Sequence, residues 1–237
     1  VARAVTASSA VPVLFNPVVV RNHPGCMTTK PDWLVAAQER AVDDAEMALV
    51  VDGIETYLDK EKRKYAHFVD GGITDNLGLR APYELVQIAG GAKAFLAKTD
   101  RRTPRRMVLI AVNASTDPEP VMDATNKQPS LEETINAMSD VQLHRYNAAT
   151  LELMEHSLAR WAEALSTPDK PVTPYFIQVS FSDIDQPDRR VFFNRIPTSF
   201  SLTDEQVDNL IAAGRELLQA NPEFHRLLAD LRADSGA

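Results

Sequence analysis

The sequence predicts an α/β fold with a mostly parallel sheet. Three observations carry that expectation. Short β-branched runs alternate with longer stretches of helical periodicity, the pattern of parallel strands joined by helices. The run Arg106–Val112 is unbroken in its apolar and β-branched character, as in a strand covered on both faces. Two Ser/Thr-x-x-Glu/Gln pairs, Ser130 with Glu133 and Thr203 with Gln206, precede apolar helical patterns and mark helix starts.

The elements follow in order. Residues 1–20 hold a helical stub, then Pro12, which lacks an N–H and restricts Val11 to extended geometry. Val18-Val19-Val20 reads as a strand, and residues 21–31 as a loop. Over residues 32–61, Met47, Val50, Val51, Ile54 and Leu58 recur at helical spacing, with Asp32 as a cap. Gly53 weakens one unbroken helix there by about 1 kcal/mol relative to alanine. His67-Phe68-Val69 is a short extended run that ends at Asp70-Gly71-Gly72. A helix over 79–89 stops at Gly90-Gly91. After the Arg106–Val112 strand comes a polar loop, then a long helix from Ser130 to about Leu165. Tyr175–Phe181 reads as a strand. Val207, Leu210, Ile211, Leu217 and Leu218 line a further helix. Asn221-Pro222 opens the last, with Phe224, Leu227, Leu228 and Leu231 on one side.

Composition excludes several classes. The 237 residues are 44% hydrophobic and 24% charged, an ordinary globular balance. A net charge of −8 argues against nucleic acid as a partner. The basic run Arg101-Arg102-Thr103-Pro104-Arg105-Arg106 reads as a solvated loop. No run approaches the ~18 apolar residues of a membrane span. The single cysteine, Cys26, has no partner for an internal disulfide. The five histidines show no metal-ligand spacing, and no acidic cluster resembles a calcium loop, so neither metal nor cofactor is expected. Asn113-Ala114-Ser115 matches a glycosylation sequon but directly follows a strand.

Chemistry concentrates at Asp70. It ends an apolar strand, where parallel α/β sheets carry their sites. Gly71 and Gly72 permit a sharp turn and close approach, and Asp75-Asn76 offer side chains to hold it. The stretch Phe68-Val69-Asp70-Gly71-Gly72-Ile73-Thr74-Asp75-Asn76-Leu77-Gly78-Leu79 resembles the catalytic-aspartate block of patatin-like phospholipases. Ala7-Ser8-Ser9-Ala10-Val11-Pro12-Val13-Leu14-Phe15-Asn16-Pro17 is similar to the Ala-Ser-x-Ala-x-Pro-x-x-Phe stretch that precedes it in that family. Ile196-Pro197-Thr198-Ser199-Phe200-Ser201-Leu202 resembles the distal part of bacterial members.

The resemblance implies a three-layer α/β/α fold and a serine–aspartate dyad acting on lipid acyl esters. Asp70 would be the base, supported by Gly71, Gly72 and Asn76. It implies a lipid or acyl-ester substrate, peripheral membrane contact, and no cofactor. The family's Gly-x-Ser-x-Gly elbow and glycine-rich oxyanion loop do not occur in these residues. Both lie N-terminal to the Ala-Ser-x-Ala block in the family, and the chain opens without Met on Val-Ala-Arg-Ala-Val. The expectation is therefore the C-terminal part of one domain, residues 1–237, with a helical insertion near 32–61 and a helical region over 130–237. The N-terminal portion of the same protein would supply the serine. Ser8 and Ser9 lack elbow glycines and read as packed residues at a helix end; His67 reads as structural. The 32–61 helix reads either as a lid or lipid-facing surface near Trp33, or as a helix packed on the core. Two rival expectations stand beside the enzyme: a non-catalytic patatin-like module that binds lipid or protein, and a hydrolase of non-lipid esters or thioesters.

Overall fold

A computed structural model describes residues 1–11, 15–116, 125–197, 199 and 201–235. The segments Pro12-Val13-Leu14, Thr198 and Phe200, parts of two resemblance blocks, lie outside the described residues. The chain is mixed α/β and divides into two compact units, Val1–Pro104 with Glu163–Lys170, and Arg105–Ala162 with Pro171–Ala237. Among the described residues no helix is long and apolar enough to cross a membrane.

In the first unit α1 (Ala2–Ser8) leads to β1 (Val18–Arg21), which pairs antiparallel with β2 (Tyr65–Phe68). Helical connections between neighbouring strands predict parallel pairing, and the sheet here departs from that expectation. The reason is Asn22. Its backbone N–H donates to Lys64 O at 2.9 Å, and its side-chain amide donates to Tyr57 O at 2.9 Å and Arg63 O at 2.8 Å. Lys60 Nζ donates to its Oδ1 at 2.7 Å. These bonds bring the ends of the long excursion together, so it closes like a hairpin loop. Val19, Val20, Tyr65 and Phe68 remain exposed.

The excursion breaks not at Gly53 but at Asp44, whose extended backbone separates α2 (Asp32–Arg40) from α3 (Ala45–Glu55). Asp44 accepts from Met47 N at 3.0 Å and so caps α3. Pro31, rather than Asp32, holds the cap position of α2. Leu34, Ala37, Ala41, Met47 and Val51 form a core between them, with Ile54, Leu58 and Ile88 packed around it. The packed-helix reading of 32–61 therefore describes its inner face; Trp33, Val42 and Leu49 lie outside. The second unit of sequence in this region, α4 (Arg80–Ala89), ends on Gly90, whose φ of 96° is open to glycine without strain. The short α5 (Ala92–Lys98) follows.

In the second unit β3 (Arg106–Asn113) and β4 (Thr173–Ser180) run parallel, paired from Arg106↔Thr173 to Asn113↔Ser180. The long α6 (Leu131–Leu165) connects them, opened by reciprocal bonds between Ser130 and Glu133. Then come α7 (Pro187–Asn194), α8 (Asp204–Ala220), opened by the Thr203–Gln206 box, and α9 (Pro222–Ser235). Leu218, Phe224 and Leu227 pack on Tyr175 and Ile177 of β4. The face of β3 that carries Val108, Ile110 and Val112 stays exposed, while Ala111 on its other face is buried. The expectation that β3 is covered on both faces is corrected accordingly. Val207, Ile211 and Leu231 are likewise exposed, whereas Leu210 and Leu217 pack inward. Of the basic run, Arg105 and Arg106 both reach Asp234, at 3.3 and 2.8 Å, so the run is not wholly a solvated loop.

Candidate active site

Asp70 stands two residues beyond the end of β2. Its backbone N–H donates to Ala10 O at 3.0 Å, tying the strand end to the segment after α1. Its Oδ1 accepts from Gly72 N at 2.7 Å, an Asx turn that starts the single 3₁₀ turn Gly71–Ile73. Among the described residues no donor meets Oδ2. Asp70 is half-buried.

The two glycines serve proximity rather than an unusual backbone angle, since neither has a positive φ. A Cβ on Gly72 would stand 2.9 Å from Asp70 Oδ1 and 3.2 Å from Asn76 Oδ1. The structure thus brings Asp70, Gly72 and Asn76 together. A Cβ on Gly71 would lie 3.4 Å from Ser8 Oγ, so the Ser8 hydroxyl sits beside the turn. Sequence reading placed Ser8 in a packed helix end; it is exposed, and α1 buries no residue. Ser9 Oγ donates back to Val5 O at 2.9 Å and is occupied there. His67 pairs with Val19 across the sheet.

Asp75 has a larger structural part than the sequence revealed. Its two carboxylate oxygens accept from Leu79 N, Arg80 N and Ala81 N at 3.0–3.1 Å, capping α4. The local signal was present, an aspartate five residues before a helix, but it was read only as turn support. Asp75→Ala should lower stability by about 2 kcal/mol, because three helix-end donors lose a charged acceptor. Urea unfolding checks this, and Asp75→Asn should recover part of the loss.

Glu84, on α4, lies half-buried near Asp75. Burial, then the Asp75 charge, pushes its carboxyl above the usual range, against the pull of Arg80. A carboxyl raised by folding favours the folded state at low pH and loses that benefit as pH rises through its folded value. Glu84→Gln should therefore stabilise the chain at neutral pH, by less than about 1 kcal/mol. The gain should vanish below the ordinary glutamate range; thermal melts at pH 7 and pH 3 test it.

What this arrangement offers chemically is a carboxylate fixed at one oxygen by a backbone amide, with the other able to take a proton from a nearby hydroxyl. Comparison with family models, with curated proteins and with solved structures found no match.

Proposed function

We propose that this chain is the aspartate-bearing part of a patatin-like serine acyl hydrolase acting on lipid esters. In this reading the serine elbow and the oxyanion loop lie upstream of residue 1, and the full domain is a three-layer α/β/α sandwich. The observation that carries it is the Asp70 turn: a carboxylate at a strand end, oriented by Gly72 N at 2.7 Å, inside the Asp-Gly-Gly block that resembles the family's.

The chemistry follows from a two-residue relay. Asp70 takes the serine proton as the serine oxygen attacks the ester carbonyl. Backbone N–H groups stabilise the tetrahedral oxyanion. Asp70 returns the proton to the departing alcohol, leaving an acyl-enzyme. Water then attacks the acyl carbonyl as Asp70 takes its proton, and Asp70 returns that proton to the departing serine oxygen, which frees the fatty acid and restores the dyad. Peripheral contact with a membrane is part of this proposal, because the substrate is lipid.

One observation favours a second reading, a non-catalytic module that binds lipid or protein. No Gly-x-Ser-x-Gly occurs in the 237 residues. The test is hydrolysis of a short-chain chromogenic ester by this chain and by a version extended upstream. Activity confined to the extended form supports the enzyme. Equal inactivity of both, with no elbow in the upstream sequence, supports the module.

A further inference from the structure

We propose that a cavity at the carboxyl end of the parallel β3–β4 pair binds a small neutral polyhydroxy compound. This inference is independent of the acyl-hydrolase reading. The cavity measures about 140 Å³. That is well above the ~30 Å³ share of one water and below the ~300 Å³ of a drug-sized pocket. A ligand of glycerol or erythritol size fits, and a long acyl chain does not. Crevices beyond the carboxyl ends of parallel strands are where open α/β sheets bind ligands.

The lining has an apolar side and a polar side. Ala111 and Leu151 supply the first, and Asn113, Gln178, Ser180, Ser182 and Asp183 the second; the side chain of Val179, which also borders the cavity, points to the other face of the sheet. Asn113 and Ser180 are partners in register, so their side chains stand next to each other. Internal bonds decide what remains on offer. Asn113 Oδ1 accepts from Ser115 N at 3.0 Å, which leaves its amide N–H₂ as the outward donor. Ser180 Oγ accepts from Ser182 N at 3.3 Å and Ser182 Oγ at 3.0 Å, which leaves its own proton to donate. Asp183 Oδ2 accepts from Ser180 N at 3.0 Å, which leaves Oδ1 as an acceptor.

The mouth thus presents donors and an acceptor within one cluster. A hydroxyl group can both donate and accept, so adjacent hydroxyls on a short carbon chain satisfy both, while the carbon chain rests on Ala111 and Leu151. An anion would meet the Asp183 carboxylate, with no Lys, Arg or His in the lining among the described residues. An ammonium group would face the Asn113 and Ser180 donors, with one carboxylate oxygen to receive it.

The test is an amide-resolved NMR titration of the full chain with erythritol, glycerol, ethanolamine and inorganic phosphate. Erythritol should give saturable shifts at Asn113, Ser180, Ser182 and Asp183 with millimolar affinity, as small ligands allow. Asn113→Ala should weaken binding about fivefold through loss of one donor. Ala111→Leu should fill the floor and abolish binding with the amide spectrum otherwise retained. Shifts that fail to saturate would overturn the proposal. So would preferential binding of ethanolamine or phosphate at these amides, or unchanged erythritol affinity in folded Asn113→Ala.

Discussion

On the proposed acyl-hydrolase reading, Asp70→Asn in the protein extended upstream should reduce kcat for ester hydrolysis about 10³-fold, within the range that a positioned general base supplies. The substitution is chosen for what it leaves in place. An asparagine Oδ1 still accepts from Gly72 N, so the turn that now holds the 2.7 Å bond persists. The contact of Asp70 N with Ala10 O involves backbone alone and is untouched. Only the capacity to take a proton is lost. KM should change little, since the group acts in the transition state rather than in binding, and stability should move by less than about 1 kcal/mol. Asp70→Ala should match the loss of activity but also loosen the turn. A fall in activity that tracks a fall in stability would point to a structural residue instead.

Phe193→Ala should be among the most destabilising single changes, at about 4 kcal/mol. Phe193 is 1% exposed. Its ring stacks on Phe181, with centroids 5.1 Å apart and planes at 12°, and meets Phe192 edge-on at 5.3 Å and 82°. Ile184, Ile196 and Ala213 close the cluster. Truncation removes the transfer energy of a full ring and leaves a cavity between α7 and the turn after β4, where rigid neighbours collapse only in part. Phe193→Leu should retain roughly half of the stability at stake, because it refills much of that volume. Urea unfolding decides the matter: the midpoint should drop with the slope unchanged. A loss under about 1 kcal/mol would contradict the packing described.

How far the sequence could be read depended on how local each determinant is. The boxes at Ser130 and Thr203 and the stop at Gly90 were legible because cap and helix lie within a few residues of each other. The strand Arg106–Asn113 was legible from its composition. Its exposed face was not, because coverage depends on where α8 and α9 settle, and their apolar side chains pack on β4. The antiparallel sense of β1 and β2 was also hidden. It rests on Asn22 reaching Tyr57 and Arg63, contacts remote in sequence that no periodicity encodes. The helix α7 was missed although Pro187 stood at its first position, a signal that was available. At the candidate site, Asp70, Gly72 and Asn76 were named together and do converge. Of the two reasons expected for the glycines, a sharp turn and close approach, Gly72 shows the second: a Cβ there would crowd Asp70 and Asn76, at an ordinary backbone φ.

The most direct test of the dyad is the rate at which a fluorophosphonate labels the extended protein, read by peptide mass spectrometry. This probe reports the nucleophile before any turnover. The account predicts one labelled serine, upstream of residue 1 in a Gly-x-Ser-x-Gly elbow, with labelling slowed about 10³-fold by Asp70→Asn. Labelling at an undiminished rate in Asp70→Asn, or on a serine within residues 1–237, would contradict it.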